Sequence, residues 1–264
     1  MDRRSQISIL LEDPAASALI TDIDGTLCRI VGRPERAKVP ARARKSLEIL
    51  GERFGTVACV SGRPARVARS MVGVDSITYF GNHGLELIAP EGEKPTVQLD
   101  PDEVRRPADF VRQHDNPFWV AAGIRIEDKG PIQALHWRGA DERTEAQVQE
   151  IATEAEQAGL AIHWGRKVLE LRPRGMEGKA GAVEQLLEGT GVETVAFAGD
   201  DRTDLDAAVR LREMKDRGEI ARLILVAVAS EEGPPELVEM ADIVLDDPDE
   251  WLDLVEFLAV GESS

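Results

Sequence analysis

Short apolar runs alternate with longer segments of helical periodicity over most of the chain. The clearest runs span residues 18–22, 56–61, 194–200 and 224–229, and they lack the polar alternation of a half-exposed strand. Strands that are buried on both faces have this character, and they belong to parallel sheets covered by helices. The pattern predicts an α/β fold whose ligand site lies at the carboxyl ends of these strands.

The middle of the chain has a different pattern. Its short candidate strands, interrupted by two segments of helical period, span residues 85–88, 124–127, 132–137, 160–164 and 168–171. Strand pairs with helices between them are typical of a small, mostly antiparallel α+β domain. We therefore expect two folding units, and 264 residues suffice for an apolar core in each.

Composition narrows the possible partners and compartment. The 49 Asp and Glu residues outnumber the 32 Lys and Arg residues, and the net charge of -17 repels the phosphates of nucleic acids and anionic membranes. No run approaches the roughly 18 apolar residues of a membrane span. Two cysteines, Cys28 and Cys59, are too few for a disulfide framework. Since the N-terminus also lacks a signal-peptide pattern, we expect a cytoplasmic protein without nucleic-acid or membrane partners.

Two carboxylates follow the first predicted strand, in the segment TDIDGT (21–26). Asp22 and Asp24 are two positions apart in extended chain, so their side chains point to the same side. They are candidates for a Mg²⁺ site, or for a nucleophile and an acid. Because Asp-Gly is also a common turn pair, a structural turn or helix cap is the alternative.

Two further segments offer groups that bind phosphate. Ser61 ends the second predicted strand, where a hydroxyl and backbone N–H groups at a helix start form an anion cradle. Lys179 lies in GKAG (178–181) before an apolar helix, although the spacing does not match a nucleotide-binding P-loop. A helix cap and a solvated lysine are the respective structural alternatives.

The segment AGDDRTD (198–204) carries three carboxylates after another predicted strand. Carboxylates and a glycine at a strand end are typical of a cation site, and a solvated loop is the alternative. We expect all four segments at the carboxyl edge of one sheet. Together they supply a carboxylate nucleophile, a hydroxyl, a lysine and a metal-binding set, which are the groups that phosphoryl transfer needs.

In order and spacing, the four segments resemble the motifs of the haloacid dehalogenase superfamily of phosphatases. The resemblance implies a Rossmann-like core in which Asp22 forms an aspartyl-phosphate, Asp24 acts as acid and then base, and Ser61 and Lys179 bind phosphate. Neighbouring carboxylates are expected to keep Asp24 protonated for the first step. A Mg²⁺ site is also implied, in which Asp22, Asp200 and the main-chain carbonyl of Asp24 bind the ion and Asp201 belongs to the surrounding shell. Asp204, like Asp201, is expected to act from outside the metal shell or to orient the lysine.

The spacing of the motifs locates an inserted domain. Asp22 and Ser61 are 39 residues apart, which fits an ordinary β-α-β unit, whereas 118 residues separate Ser61 from Lys179. We therefore predict a core of residues 1–84 and 173–264 and an α+β cap of residues 85–172. This position matches the subgroup of the superfamily in which an α+β cap covers the active site, a subgroup that includes sugar-phosphate phosphatases.

Within that subgroup, the chain resembles trehalose-6-phosphate phosphatases in GNHGLEL (81–87), IEDKG (126–130), LHWR (135–138) and LELRP (169–173). The resemblance implies a sugar-phosphate substrate, and charged side chains suit the hydroxyls of a disaccharide. The residues expected to bind it are Arg63, Asn82, His83, Glu127, Lys129, Arg166 and Glu170. For the cap residues of this set, a surface ion-pair network is the alternative.

Two other functions fit part of these patterns. A phosphatase for another sugar phosphate, such as sucrose phosphate or glucosylglycerate phosphate, would share the core and differ in the cap. A signalling domain that keeps a phosphorylated aspartate needs neither Asp24 nor an inserted domain. The Gly-x-Ser-x-Gly segment of many serine hydrolases does not occur in the sequence.

Overall fold

The structure is a computed structural model of the chain, and it describes residues 2–97, 99–114, 117–140, 142–165, 167–230 and 233–261. The chain divides into two compact units. Met1–Val97 and Glu177–Ser264 form the core unit, and Gln98–Met176 form the inserted unit. Arg166, one of the residues expected to bind substrate, lies outside the described residues.

A twisted sheet lies at the centre of the core unit. Its strands are β1 Ser17–Thr21, β2 Thr56–Val60, β3 Thr78–Gly81, β4 Glu86–Ile88, β5 Thr96–Val97, β10 Thr194–Gly199, β11 Arg222–Val228 and β12 Ile243–Leu245. Among the described residues their order is β12-β11-β10-β1-β2-β3-β4-β5. The strands from β12 to β3 pair in parallel, whereas β4 and β5 are antiparallel additions at one edge. The predicted α/β fold with a parallel sheet is confirmed.

Helices cover both faces of this sheet. They are α1 Arg3–Ile7, α2 Ala41–Arg53, α3 Ala65–Val72, α7 Gly178–Leu187, α8 Arg202–Asp216, α9 Pro235–Met240 and α10 Pro248–Val260. Leu19 and Ile20, adjacent in β1, pack into two different apolar cores, because successive side chains of a strand point to opposite faces. In the part of the chain that the structure describes, no helix is both long and apolar enough to cross a membrane.

The inserted unit contains an antiparallel sheet packed on helices. Its elements are α4 Pro101–His114, α5 Pro117–Ala121, β6 Arg125–Asp128, β7 Gln133–His136, α6 Glu142–Gln157, β8 Ala161–Gly165 and β9 Val168–Arg172. The strand order is β6-β7-β9-β8. Leu135 and Leu169 pack with Val148 and Ile151 of α6 in one apolar core. One face of the sheet is thus buried, and the opposite face carries polar side chains.

The limits of the inserted unit differ from the predicted cap of residues 85–172. Residues 85–88 are predicted to begin the cap, but β4 pairs with β3 of the core sheet, where Leu87 lies opposite Phe80. The inserted unit begins after Val97 and extends to Met176. The apolar pattern of a short strand does not encode which sheet the strand joins, because tertiary packing selects its neighbours.

Candidate active site

The carboxyl edge of the core sheet brings Asp22, Lys179 and Asp204 together. Asp22 directly follows β1, and its backbone N–H donates to the carbonyl of Ala198 in β10 at 2.9 Å. Lys179, in the first turn of α7, donates from Nζ to Asp22 Oδ1 at 2.6 Å and to Asp204 Oδ1 at 2.7 Å. The Lys179 side chain is only 1% exposed, which excludes a solvated lysine at a helix start.

The start of α8 fixes Asp204. Its Oδ2 accepts hydrogen bonds from the backbone N–H groups of Asp200 and Asp201, both at 3.1 Å. Asp201 Oδ1 accepts in turn from the backbone N–H of Asp204 at 2.9 Å, which completes a capping box. Gly199 is required beside it, since a Cβ at this position would lie 2.3 Å from Asp204 Cγ. Asp204 is thereby held in place to orient the ammonium of Lys179.

Burial changes the protonation of this cluster. Burial raises the pKa of the Asp22 carboxyl to about 7, with Lys179 opposing and Asp200 reinforcing the rise. Burial also raises the pKa of Asp200 to about 7, and the charge of Asp204 adds to the effect. Burial alone would lower the pKa of Lys179, but Asp204 and Asp22 outweigh it and raise that pKa well above its usual value. The carboxylates of Asp22, Asp200 and Asp204 together carry more negative charge than the ammonium of Lys179 balances.

The arrangement of these carboxylates fits a divalent cation. Asp22, Asp200 and Asp204 place carboxylate oxygens within 4.8 Å of one another. Within the described residues, Oδ2 of Asp22 and Oδ2 of Asp200 accept no hydrogen bond, whereas both oxygens of Asp204 are engaged. Gly25 leaves the space open, because a Cβ there would lie 2.2 Å from Asp200 Oδ2. Asp22 and Asp200 thus offer oxygens of the kind that Mg²⁺ prefers.

Asp201, which the resemblance places in the outer shell of the metal or beside the lysine, has its Oδ1 3.9 Å from Lys179 Nζ, and its role at the metal stays a prediction. Its carboxylate accepts from the backbone N–H of Asp204 and from Thr203 Oγ1 at 2.8 Å, so it caps α8. It is not part of the cluster in which carboxylate oxygens converge. The sequence does contain the relevant signal, because an aspartate followed three positions later by an acidic residue is typical of a capping box.

Asp24 is bound by Arg63. Arg63 donates from Nε to Asp24 Oδ2 at 2.5 Å and from Nη2 to Asp24 Oδ1 at 2.7 Å. Arg63 Nη2 also donates to the carbonyl of Pro34 at 2.9 Å, which fixes the guanidinium. The contact that holds the Asp24 carboxylate is thus with a cation, and the expected influence of neighbouring carboxylates on Asp24 stays a prediction. The sequence could not show the contact, because Arg63 comes from the loop after a different strand.

Ser61 follows β2 at the same edge of the sheet. Its Oγ accepts from the backbone N–H of Arg63 at 3.1 Å, and α3 begins only at Ala65, so the hydroxyl is not the helix cap. The backbone N–H groups of Asn82 and His83 donate to the carbonyls of Arg63 and Ser61, at 2.8 and 2.9 Å. The side chain of Asn82 is fully buried, and within the described residues its amide atoms have no hydrogen-bond partner. Substrate binding by Asn82 and His83 stays a prediction.

In the inserted unit, three of the predicted sugar-binding residues lie close together. Glu127 in β6 and Glu170 in β9 both face Ala134 of β7 in register, which places them on the same side of the sheet. Lys129 Nζ donates to Glu170 Oε1 at 3.0 Å. The structure therefore brings these three side chains onto the polar face of this unit, while their binding of a sugar stays a prediction.

His136 and Arg172, which are not among the predicted site residues, hold these carboxylates. His136 Nε2 lies 2.8 Å from Glu127 Oε2, and Arg172 donates to Glu170 Oε2 from Nε and Nη2, at 3.0 and 2.6 Å. The side chains of Glu170 and Arg172 are only 9% and 11% exposed, so this pair is not a solvated surface ion pair, whereas Glu127 is 43% exposed. The sequence could have indicated Arg172 as a neighbour of Glu170, because it lies two positions later in the same strand and therefore on the same face.

Comparison with known proteins assigns the family. The sequence model described as trehalose-phosphatase matches residues 20–233, which include all the core-unit site residues described above. The chain belongs to the trehalose-phosphatase family. Trehalose-phosphate phosphatase of Mycobacterium avium is 33% identical over 199 residues, 72% of this chain and 50% of that protein. Trehalose-phosphate phosphatase B of Arabidopsis thaliana is 31% identical over 211 residues, 74% of this chain and 56% of that protein.

The length and fold of this trehalose-phosphatase family member can be compared with its relatives. The chain spans about half the length of these two curated relatives. It superposes on the trehalose-6-phosphate phosphatase C-terminal domain of C. albicans with a TM-score of 0.73, covering 98% of this chain and 97% of that one. At 20% identity this likeness shows a shared fold. It agrees with the predicted α/β core that carries an inserted α+β unit.

Proposed function

We propose that this trehalose-phosphatase family member hydrolyses trehalose 6-phosphate to trehalose and inorganic phosphate. The observation that carries the proposal is the buried contact between the ammonium of Lys179 and the carboxylate of Asp22. A fixed cation beside a carboxylate nucleophile supports phosphoryl transfer, because it offsets the negative charge of the incoming phosphate. Family membership supports the same chemistry and supplies the sugar.

In the first proposed step, a carboxylate oxygen of Asp22 bonds to phosphorus and the sugar oxygen leaves. Asp24 gives a proton to that oxygen, so trehalose departs as an alcohol and the phosphoryl group remains on Asp22. Lys179 and the hydroxyl of Ser61 bind the phosphoryl oxygens during the transfer. Because Arg63 occupies both oxygens of Asp24, their contact has to open for the proton to reach the leaving oxygen.

In the second proposed step, Asp24 removes a proton from water as the water oxygen bonds to phosphorus. The bond between phosphorus and Asp22 breaks, which releases inorganic phosphate and restores the carboxylate. Asp24 is then protonated again and ready for the next substrate. The two displacements together consume one water for each phosphate ester.

A magnesium site completes the proposal. Asp22, Asp200 and the main-chain carbonyl of Asp24 would hold Mg²⁺, which when bound supplies positive charge that weakens the repulsion between phosphate and carboxylates. Thr26 Oγ1 donates to Asp200 Oδ1 at 3.1 Å and so orients the other oxygen of that carboxylate. Asp204 contributes indirectly by holding Lys179.

The polar face of the inserted sheet is the proposed site of sugar recognition. Glu127, Lys129 and Glu170 supply charged acceptors and donors, which bind hydroxyl groups more strongly than neutral groups do. His136 and Arg172 support this assignment because they fix the two carboxylates. Arg166 remains a proposed member of the set on the basis of the family resemblance.

We also propose a cytoplasmic protein that binds neither nucleic acid nor membranes. Cys28 and Cys59 are buried and unpaired, which suits a reducing compartment. The net charge of -17 opposes binding to phosphate-rich surfaces.

Phosphate release tests the proposed function. We expect trehalose 6-phosphate to be hydrolysed faster than sucrose 6-phosphate, glucose 6-phosphate or glucosylglycerate phosphate, with activity lost in EDTA and restored by Mg²⁺. Asp22→Asn should abolish turnover, whereas Asp216→Asn, at an exposed position of α8, should not. Faster hydrolysis of another sugar phosphate would contradict the proposed sugar and keep the core chemistry. A protein that releases no phosphate from any of them would contradict the phosphatase assignment.

A further inference from the structure

The loop that presents Ser61 and Arg63 is held by the segment 81–86. The backbone N–H groups of Asn82 and His83 donate to the carbonyls of Arg63 and Ser61. Asn82 and His83 both have left-handed backbone conformations, with φ of 48° and 55°, which aim these two N–H groups at the loop. The segment therefore determines the path of the loop through main-chain bonds.

The two segments are also in close contact. A Cβ at Gly62 would lie 2.7 Å from the His83 ring, and a Cβ at Gly81 would lie 2.0 Å from the backbone nitrogen of Ala65. Any side chain at either glycine would push the segments apart. Neither segment can therefore move without disturbing the other.

Glu86 supplies the third connection. Its Oε2 accepts from the backbone N–H of Ala65, the first residue of α3, at 2.8 Å. The helix has no cap of its own, because Pro64 precedes it and the Ser61 hydroxyl is bonded to Arg63. A carboxylate from β4 thus satisfies a helix N-terminal donor, a position that favours negative charge.

We propose that Glu86 is a positioning residue for the reaction. By binding Ala65, it fixes the end of the loop 61–65, and so it sets the position of the Ser61 hydroxyl and of the guanidinium that holds Asp24. The role rests on the proposed phosphatase function. Glu86 contacts neither phosphate nor sugar in this proposal, and it acts only through the loop.

Kinetics of two Glu86 variants test the proposal. Glu86→Ala removes the acceptor and is expected to lower kcat/KM for trehalose 6-phosphate about 10- to 100-fold, mostly through kcat, since misplaced groups lose much of their effect. Glu86→Gln keeps an acceptor oxygen and should stay within about threefold of the wild type. If Glu86→Ala does not fold, Glu86→Met takes its place, because it keeps the length of the side chain without the acceptor.

A matched variant separates positioning from stability. Asp242 Oδ2 accepts from the backbone N–H of Leu225 in β11 at 2.8 Å, so Asp242→Ala removes the same kind of bond where no site residue depends on it. Both alanine variants should lower the midpoint of thermal unfolding. Unchanged kcat/KM in Glu86→Ala, with a loss of stability like that of Asp242→Ala, would show a purely structural role and overturn the proposal.

A double-mutant cycle tests whether Glu86 acts through the loop. In a Ser61→Ala background, Glu86→Ala should lower kcat/KM far less than it does alone, because the group it positions is already absent. Full additivity of the two losses would contradict the proposal.

Backbone amide spectra give a result that does not depend on activity. In Glu86→Ala, the amide resonances of Ser61, Gly62, Arg63 and Ala65 should shift, and Glu86→Gln should restore them. Unchanged loop resonances in Glu86→Ala would overturn the role of Glu86 even in an inactive protein. If the wild-type protein hydrolysed no phosphate ester and Glu86→Ala still shifted these resonances, the proposed function alone would be contradicted.

Discussion

The guanidinium of Arg63 binds both carboxylate oxygens of Asp24, through Nε and Oδ2 at 2.5 Å and through Nη2 and Oδ1 at 2.7 Å. A two-point contact of this kind is strong and directional. It joins the loop after β1 to the loop after β2, so the proposed acid is held by the loop that presents Ser61. Since the acid has to reach the leaving oxygen, we expect the contact to open and close in each turnover.

The loss of activity on removing the proton donor Asp24 should depend on the leaving group of the substrate. Asp24→Asn is expected to lower kcat on trehalose 6-phosphate about 100- to 10,000-fold, because the sugar oxygen leaves poorly without a proton. Para-nitrophenyl phosphate has a leaving group that needs no proton, so stopped-flow mixing should still show a burst of para-nitrophenolate. Arg63→Ala should cost less, about 10- to 100-fold, because Arg63 orients the acid and transfers no proton.

An arginine that pairs with other carboxylates provides the control for these variants. Arg42 donates hydrogen bonds to the carboxylates of Asp249 and Asp253. Arg42→Ala should leave the activity on trehalose 6-phosphate and on para-nitrophenyl phosphate unchanged. If Asp24→Asn gave no burst of para-nitrophenolate, its loss of activity would not lie in protonation of the leaving group, and Asp24 would not be the acid of the first step.

The stability of the metal-free protein should fall as pH rises. The pKa values of Asp22 and Asp200 are raised from 3.8 to about 7, so between these values the folded protein binds more protons than the unfolded chain. The free energy of unfolding therefore decreases with pH across this range. In EDTA we expect the midpoint of thermal unfolding to be lower at pH 8 than at pH 5 by about 5 °C or more, with Mg²⁺ recovering most of the loss at pH 8.

A single carboxylate substitution tests the origin of this pH dependence. Asp200→Asn removes one of the two titrating groups and one of the proposed Mg²⁺ ligands. It should flatten the pH dependence and remove stabilisation by Mg²⁺, whereas the exposed Asp216→Asn should retain both. A wild-type pH profile in Asp200→Asn would mean that other groups cause the effect.

The parts of the site that were predictable lie within single segments of sequence. Asp22 and Ser61 come directly after β1 and β2, and the apolar runs of the sequence are enough to predict where these two buried strands end. The motif around Lys179 is also local, although its burial between two carboxylates could not be read from the sequence. That burial depends on α8 bringing Asp204 to the same point.

The contacts that were missed join segments far apart in the chain. Arg63 reaches Asp24 from another loop, and Glu86 reaches Ala65 from a strand that the apolar pattern assigns to the wrong unit. Charged side chains on their own segments show no preference for one partner over another, because long-range pairing is decided by tertiary packing. Arg172 differs from these, since strand alternation alone places it beside Glu170.

The buried carboxylate of Glu170 should lose its orientation without Arg172. Arg172→Ala is expected to raise KM for trehalose 6-phosphate about 10-fold and to change kcat little, because the proposed contact is with the sugar and not with the reacting phosphate. Steady-state kinetics on trehalose 6-phosphate and para-nitrophenyl phosphate measure the difference, since the second substrate has no sugar to bind.

A matched pair in the same unit provides the control. Lys167 bonds Glu145 at the surface, and Lys167→Ala should leave KM unchanged because exposed pairs contribute little. An unaltered KM in Arg172→Ala, or an equal loss on both substrates, would contradict a role for Glu170 in sugar binding.

Gly25 gives the sharpest test of the proposed metal site. Its φ of 91° strains any other residue, and an added Cβ would lie 2.2 Å from Asp200 Oδ2. Gly218 has a φ of 76° and open space around it, so Gly218→Ala imposes a similar backbone cost, of about 1–2 kcal/mol, without touching the site. Gly25→Ala should therefore lose Mg²⁺-dependent activity and Mg²⁺ binding measured by calorimetry, while Gly218→Ala loses only stability. Mg²⁺ binding of wild-type strength in Gly25→Ala would show that the ion does not depend on the Asp200 oxygen that faces this glycine.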